Sequence, residues 1–170
     1  MFGRDRFCIM LANILYYKIY NSPVGKLQLI ASDKGLFAVL PPNHFRTASD
    51  ELIENNTSPI LLKTEKQLAE YFEGKRKKFD IKLEIRGTVF QINAWRELQN
   101  IPYGETISYG QQATRIGDAK KARAAGIANS RNPLMIIVPC HRVIGASGAL
   151  TGFGGGLDMK QKLLDLEKTH

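Results

Sequence analysis

A chain of 170 residues that is 44% hydrophobic and 24% charged has the makeup of an ordinary soluble globular protein, large enough for one sizeable or two small domains. Its formal net charge of +8 and pI near 9.6 suit a polyanionic partner such as nucleic acid, although the basic excess is shared by residues 1–86 and 87–170 and marks no one face. The two cysteines, Cys8 and Cys140, are far apart and form no CxxC pair, which excludes a disulfide framework and a cysteine-based zinc site and favours a reducing, cytoplasmic setting.

The first apolar run, Phe7–Leu15, is too short to span a bilayer and lacks a following small-residue cleavage pattern. Arg4 and Arg6 give it a faintly signal-like look, but no membrane association is expected. Strand-like runs follow at Tyr16–Tyr20, Lys26–Ala31 and Leu36–Leu40, separated by the turns Ser22-Pro23-Val24-Gly25 and Ser32-Asp33-Lys34-Gly35. They predict a small antiparallel meander. Residues 41–57 are polar and turn-rich. Ser58 then caps a helix with Pro59 at its first position; Leu61, Leu62, Leu68, Tyr71 and Phe72 supply its apolar contacts, and Gly74 ends it. The cluster Lys75-Arg76-Lys77-Lys78 suits a solvated turn better than a phosphate site. Alternation of Phe79, Ile81, Leu83 and Ile85 with polar residues predicts a strand.

Around Arg86-Gly87 the style changes. Thr88 with Gln91 forms a capping box for a helix that gathers Phe90, Ala94, Trp95 and Leu98 on one face. Pro102-Tyr103-Gly104 ends it as a turn. Ser108 with Gln111 opens a second capping box for a short helix to about Arg115, and Gly117-Asp118 leads to a further helix over Ala119–Asn129. Two short helices joined by a tight glycine-containing turn form a helix-turn-helix, a shape shared by DNA readers and plain helical bundles. The second helix presents Ala122, Ala124, Ala125, Gly126 and Ala128, with Arg123 as the one long side chain. That face suits close packing on another helix, or close approach to a nucleic-acid backbone with Arg123 as a probe beside the base stack.

An apolar strand at Leu134–Val138 leads into Pro139-Cys140-His141-Arg142-Val143 and a glycine-rich loop, residues 145–156. The loop lacks GxxxxGK[ST] and the strand-glycine-helix fingerprint of a nucleotide site. Cys140 is either a small buried hydrophobe or a nucleophile. Its neighbour His141 lies on the opposite face of an extended segment, so contact between the two needs a water or a backbone bend. The last helix starts near Asp158 with Met159, Leu163, Leu164 and Leu166 inward. Glu167 lies at its C-terminal end, where the helix dipole disfavours an acid. Such a carboxylate calls for a specific partner, and His141 completes a thiol-imidazole-carboxylate relay, in surroundings expected to lower the thiol pKa.

The Pro-Cys-His-Arg-Val string, preceded by Asn132-Pro133 and followed by the glycine loop and Glu167, resembles the O6-alkylguanine-DNA alkyltransferases. The likeness is close over 87–170 and looser in Tyr16–Ala31 and in Tyr71-Phe72-Glu73-Gly74-Lys75-Arg76; residues 1–14 are additional to the usual start. It implies that Cys140 accepts the alkyl group, that His141 deprotonates it through a water, and that Glu167 holds the histidine. It also implies that Tyr109 supports nucleotide rotation and donates toward the guanine, that Arg123 fills the stack, and that Asn132 braces the active-site turn. Ala122, Ala124 and Gly126 would lie against DNA. The carbonyls of Cys140 and Val143 would recognise the exocyclic amine, and Phe153, Gly154 and Gly155 would close the base pocket. Phe153 stands where many relatives carry tyrosine and Gly154 where they carry serine or a bulkier residue, which implies a looser pocket.

The expected architecture is a two-domain α/β protein. A small N-terminal antiparallel sheet-plus-helix domain, 1–86, lends support, and a mostly helical C-terminal domain with a helix-turn-helix, 87–170, binds DNA and accepts the alkyl group. The expected function is stoichiometric, irreversible repair of O6-alkylguanine in double-stranded DNA by transfer to Cys140, with O4-alkylthymine an open second substrate. The protein would act as a monomer and need neither metal nor cofactor. One rival is a non-catalytic lesion binder, which would lack the acceptor cysteine. The other is a thiol hydrolase or protease, which would leave the helix-turn-helix and Arg123 without a use.

Overall fold

The computed structural model describes residues 14–42, 44 and 51–170. Cys8 and most of the apolar run at 7–15 lie outside them. The expected meander is present as β1 (Ile14–Ser22), β2 (Gly25–Ala31) and β3 (Leu36–Leu40), joined antiparallel with Tyr16 opposite Ala31 and Leu29 opposite Val39. Side chains alternate along these strands. Leu27, Leu29, Ala31, Leu36 and Val39 enter the main core, whereas Leu15, Ile30, Phe37 and Ala38 form a small second cluster. A fourth strand, β4 (Glu51–Glu54), pairs parallel to β1 and completes the order β3-β2-β1-β4. It falls within the stretch read as turns, because four residues with two glutamates carry no strand pattern.

Helix α1 (Pro59–Phe72) starts at the expected proline, but the Ser58 side chain makes no capping bond. Leu61, Thr64, Gln67, Leu68 and Tyr71 are its buried residues, while Leu62 is exposed. Gly74 lies just past its end with φ +72, a conformation glycine adopts without strain.

Two predicted strands are absent, for one shared reason. The free edge of β3 is divided between them: Leu36 exchanges backbone bonds with Lys82 and Glu84, both 2.8 Å, and Val39 with Pro133 (2.8 Å) and Met135 (3.2 Å). Neither segment has room to extend its pairing. Phe79, Ile81, Leu83 and Ile85 still pack half-buried on the core. Leu134–Val138 is instead a fully buried turn, closed by the Val138 amide on the Leu134 carbonyl at 2.8 Å and bent at Ile136, whose φ is +72. That conformation is costly for a β-branched residue.

The C-terminal half is helical. Both capping boxes form, on α2 (Val89–Leu98) and α3 (Tyr109–Ile116). Gly117, with φ +110, ends α3. The predicted helix at 119–129 begins as a 3-10 turn, Ala119–Lys121, and becomes α4 over Ala122–Ser130. Two buried amides fix the pair: Gln112 of α3 and Asn129 of α4 exchange hydrogen bonds of 3.0 and 2.7 Å. The Trp95 indole donates to the Ala128 carbonyl at 2.9 Å and ties α4 to α2. A two-residue parallel pair, β5 (Ile107–Ser108) with β6 (Val143–Ile144), joins the entrance of α3 to the segment after Arg142. The final helix, α5, spans Leu157–Thr169. Among the described residues no helix is long and apolar enough to cross a membrane.

Ser108 accepts the Gln111 amide at 3.1 Å and so satisfies a free donor of α3. Ser108→Ala is expected to cost about 1 kcal/mol, read as a lower urea midpoint with an unchanged slope.

Candidate active site

Cys140 and His141 lie in a 3-10 turn, Cys140–Arg142, which supplies the backbone bend that adjacency alone did not. Both side chains are buried. Asn132 holds the turn from behind. Its Nδ2 donates to the Val138 carbonyl at 2.8 Å and to Cys140 Sγ at 3.2 Å, while its Oδ1 accepts the Leu134 amide at 3.0 Å. Burial pushes the Cys140 thiol up to about 11, although the Asn132 hydrogen bond and the Lys160 charge pull the other way. This corrects the expected lowering: with so little water at the sulfur, desolvation outweighs both favourable contacts. The resting group is a thiol.

His141 Nε2 lies 2.7 Å from Glu167 Oε1. A carboxylate only accepts, so Nε2 carries the proton and Nδ1 the lone pair. That Nδ1 is buried and has no hydrogen-bond partner among the described residues. Burial lowers the His141 pKa, with Glu167 opposing the shift, and the ring is held neutral. Glu167 is itself enclosed. Arg142 donates through Nε to Oε2 at 2.8 Å and through Nη2 to Oε1 at 2.9 Å. The Gly104 amide reaches Oε2 at 3.1 Å and the Tyr71 hydroxyl reaches Oε1 at 2.7 Å. Burial alone would raise this carboxyl, but hydrogen bonds from His141 and Arg142 and the Arg142 charge hold it well below the usual carboxylate range.

A second cluster centres on Lys160, fully buried on α5. Its ammonium donates to the carbonyls of Val143 (2.7 Å) and Thr151 (3.0 Å) and lies 3.4 Å from the Tyr109 hydroxyl. Tyr109 in turn donates to the Thr151 carbonyl at 2.8 Å, tying α3 to the glycine loop. Gly126 of α4 lies over the same tyrosine: a Cβ there would sit 3.5 Å from its ring. Arg123 is exposed, and no hydrogen bond or ion pair holds it among the described residues. It follows Lys120 and Lys121 at the start of α4, where a helix end attracts anions.

Two family models cover almost all of these elements. Residues 15–85 match the one described as 6-O-methylguanine DNA methyltransferase, ribonuclease-like domain, and residues 89–169 match the DNA binding domain of the same protein type. A methylated-DNA–protein-cysteine methyltransferase of Methanosarcina acetivorans is 46% identical over 90% of this chain and 98% of its own. The chain belongs to the 6-O-methylguanine DNA methyltransferase family. A second relative of the same name, from Mycolicibacterium paratuberculosis, is 48% identical over 92% of this chain and 94% of its own. The fold agrees as well. The crystal structure of Mycobacterium tuberculosis O6-methylguanine methyltransferase superposes with a TM-score of 0.84 at 44% identity, covering 91% of this chain and 93% of that one. The structure of the Mycobacterium tuberculosis protein in complex with DNA gives 0.83 at 45% identity, with the same coverage.

Within this methyltransferase, Asn132 holds Cys140 while Glu167 holds its chain neighbour His141, and Lys160 joins Val143 to Tyr109. The carbonyls of Cys140 and Val143 already accept one bond each, from the Val143 amide and from Lys160, and a carbonyl oxygen can accept a second. Phe153 packs on the core beside Gly155, where a Cβ would lie 2.5 Å from Met159 Sδ and 3.0 Å from the Phe153 ring. Gly154 has more room, with its nearest neighbours at 3.6 Å from a built Cβ.

Three residues of the methyltransferase site escaped the sequence reading: Tyr71, Arg142 and Lys160. Tyr71 passed as an apolar contact of its helix and Arg142 as a letter in the motif. Lys160 carried a signal, because it falls with Leu163, Leu164 and Glu167 at i, i+3, i+4 and i+7, the spacing of a buried helix face.

Proposed function

We propose that Cys140 accepts the alkyl group from O6-alkylguanine in double-stranded DNA, with His141 as base and Glu167 as the group that orients it. The reaction class is the family's: direct DNA repair by alkyl transfer to a protein cysteine. The observation that carries the assignment is the buried Cys140 turn, in which His141 keeps one ring nitrogen on Glu167 at 2.7 Å and the other without a partner among the described residues.

Because the thiol is held protonated, transfer begins with movement of its proton to His141 Nδ1 through a bridging water. The thiolate attacks the alkyl carbon, an S–C bond forms as the C–O6 bond breaks, and the electron pair stays on the guanine. Tyr109, beside the Lys160 ammonium, is placed to leave the Thr151 carbonyl and donate to that departing base. No step regenerates the thiol, so each molecule acts once. A guanine inside a duplex cannot reach a thiol this deeply buried, so the nucleotide must be rotated out. Arg123, exposed and without a hydrogen bond or ion pair among the described residues, stands beside the small residues Ala122, Ala124 and Gly126 and fills the gap it leaves. In this reading residues 87–170 bind DNA and hold the acceptor, and residues 1–86 support them.

The test is incubation with duplex DNA bearing O6-methylguanine, followed by mass spectrometry of the peptides. One added methyl on the Cys140 peptide is expected; a methyl elsewhere, or none, refutes the assignment. Arg123→Ala is expected to slow transfer from duplex DNA by on the order of ten-fold or more, since losing even about 1.4 kcal/mol of the few kcal/mol that unstacking costs is ten-fold in rate. Reaction with free O6-benzylguanine base should stay near the wild-type rate. Equal slowing of both would remove the stack-filling role.

A further inference from the structure

Tyr71 belongs to α1, in the half of the chain assigned to support, yet its hydroxyl ends on the carboxylate of the site. It donates to Glu167 Oε1 at 2.7 Å, the oxygen that also takes His141 Nε2 at 2.7 Å and Arg142 Nη2 at 2.9 Å. The ring is fully buried. Tyr103 meets it edge-on at 6.0 Å, Phe72 at 5.4 Å, and Phe79 is tilted against it at 5.5 Å. A phenylalanine would fill that space equally well, so packing does not explain the hydroxyl. Nor does charge balance, since Arg142 already neutralises Glu167 through two hydrogen bonds. What the hydroxyl adds is a third donor on the one oxygen that His141 uses.

We propose that Tyr71 is a positioning residue of alkyl transfer, which draws charge from Glu167 Oε1 and thereby sets the pH at which His141 ceases to be a base. The inference rests on the Cys140-His141-Glu167 relay proposed above. The hydrogen bonds on Oε1 compete for the same lone pairs. Without the Tyr71 bond, more of the carboxylate's charge is available to a protonated His141, and the imidazolium is favoured. The other groups facing the pair are Cys140 and Arg142 from the same turn, Lys160 from α5, and Tyr103 from the turn after α2. The Tyr103 ring lies 5.7 Å from the Arg142 guanidinium and 5.2 Å from the Lys77 ammonium. Two cations, Arg142 and Lys160, already oppose protonation of His141, and Tyr71 acts in the same direction without carrying charge.

The experiment measures the single-turnover rate of methyl addition to Cys140 in the full chain, at saturating duplex bearing O6-methylguanine, from about pH 5 to 9. In wild type the rate should fall on the acid side as His141 protonates. Tyr71→Phe should move that limb upward by about half a pH unit, which is roughly three-fold slower transfer on the limb, with a plateau within about three-fold of wild type. Site-specific 3-fluorotyrosine at position 71, a more acidic and stronger donor in the same volume, should move it downward. Thr64→Val, which removes the Thr64 hydroxyl bond to the Ile60 carbonyl on the same helix at 2.8 Å, should leave it in place.

Coincident limbs for Tyr71→Phe and wild type, whatever the loss of rate or stability, overturn the proposal and leave Tyr71 a structural residue. Should that variant not fold, an unmoved limb in the fluorotyrosine protein overturns it instead. A wild-type protein that methylates Cys140 with no acid limb refutes the relay reading and this inference with it. Absence of methyl on Cys140 refutes the acceptor assignment, a separate outcome.

Discussion

A Cys140→Ala protein is expected to bind a duplex bearing O6-methylguanine with an affinity within about two-fold of wild type and to take up no methyl group at any time or concentration. The side chain lost is small, and the side chain that donates to it, Asn132 Nδ2, keeps the Val138 carbonyl at 2.8 Å. The turn therefore retains its brace, and the cost in stability should stay near the 1 kcal/mol typical of a modest core truncation. Fluorescence anisotropy of labelled duplex reads the binding arm, and transfer of isotopically labelled methyl to protein reads the chemical arm. Loss of both together would mean that the substitution collapses the turn. Residual methyl transfer would mean that another residue accepts it.

Glu167→Gln is expected to have the largest effect on stability, about 3–5 kcal/mol, because it leaves the buried Arg142 guanidinium without its counter-charge. The same change weakens orientation of the His141 ring and should slow transfer on the order of 10²-fold or more. Its pH signature follows from the direction of each shift. Glu167 is held below the usual carboxylate range. Its stabilisation is therefore complete above about 4.3, its unfolded value, and is lost as pH falls through the folded value. His141 is also shifted down. Below about 6.5 the unfolded chain gains a proton that the folded one resists, and stability falls in the same sense. Each group adds a slope of up to about 1.4 kcal/mol per pH unit over its own window. Urea unfolding between about pH 2 and 8 should show wild-type stability decreasing toward acid. The glutamine variant should lack the part of that decline below about 4.3. An identical acid dependence in both proteins would show that Glu167 contributes nothing to it.

The sequence made some parts of this molecule readable because their signals are local. A capping box is four residues long, so Thr88 with Gln91 and Ser108 with Gln111 could be placed from spacing alone, and both form. The strand-like run at Lys26–Ala31 between two turns placed β2, which spans Gly25–Ala31. The acid at the unfavourable end of the last helix pointed to a partner, and the structure puts His141 there. Failures cluster where tertiary geometry decides. Phe79–Ile85 and Leu134–Val138 have strand-like side chains, but whether they become strands depends on how much of the β3 edge is left for each, a quantity no local pattern encodes. The thiol's proton affinity was misjudged for a related reason. Favourable neighbours can be guessed from a motif, while the depth at which Cys140 is buried emerges only from the packing of distant segments. Tyr71 is the clearest case, since its hydroxyl reaches a residue 96 positions away.

The bonds from Val39 to Pro133 and Met135 bind the edge of the sheet to the turn that leads into Cys140. Each segment thus supplies the acceptor for the other's amide, so hydrogen exchange at Val39 and Met135 reads the opening of this junction. If the two halves unfold as one unit, the protection of these two amides should rise and fall together with global stability in sheet variants; independent protection would show that the halves open separately. This junction is the route by which a weakness in the sheet, far from any DNA, would reach the turn that carries the sulfur.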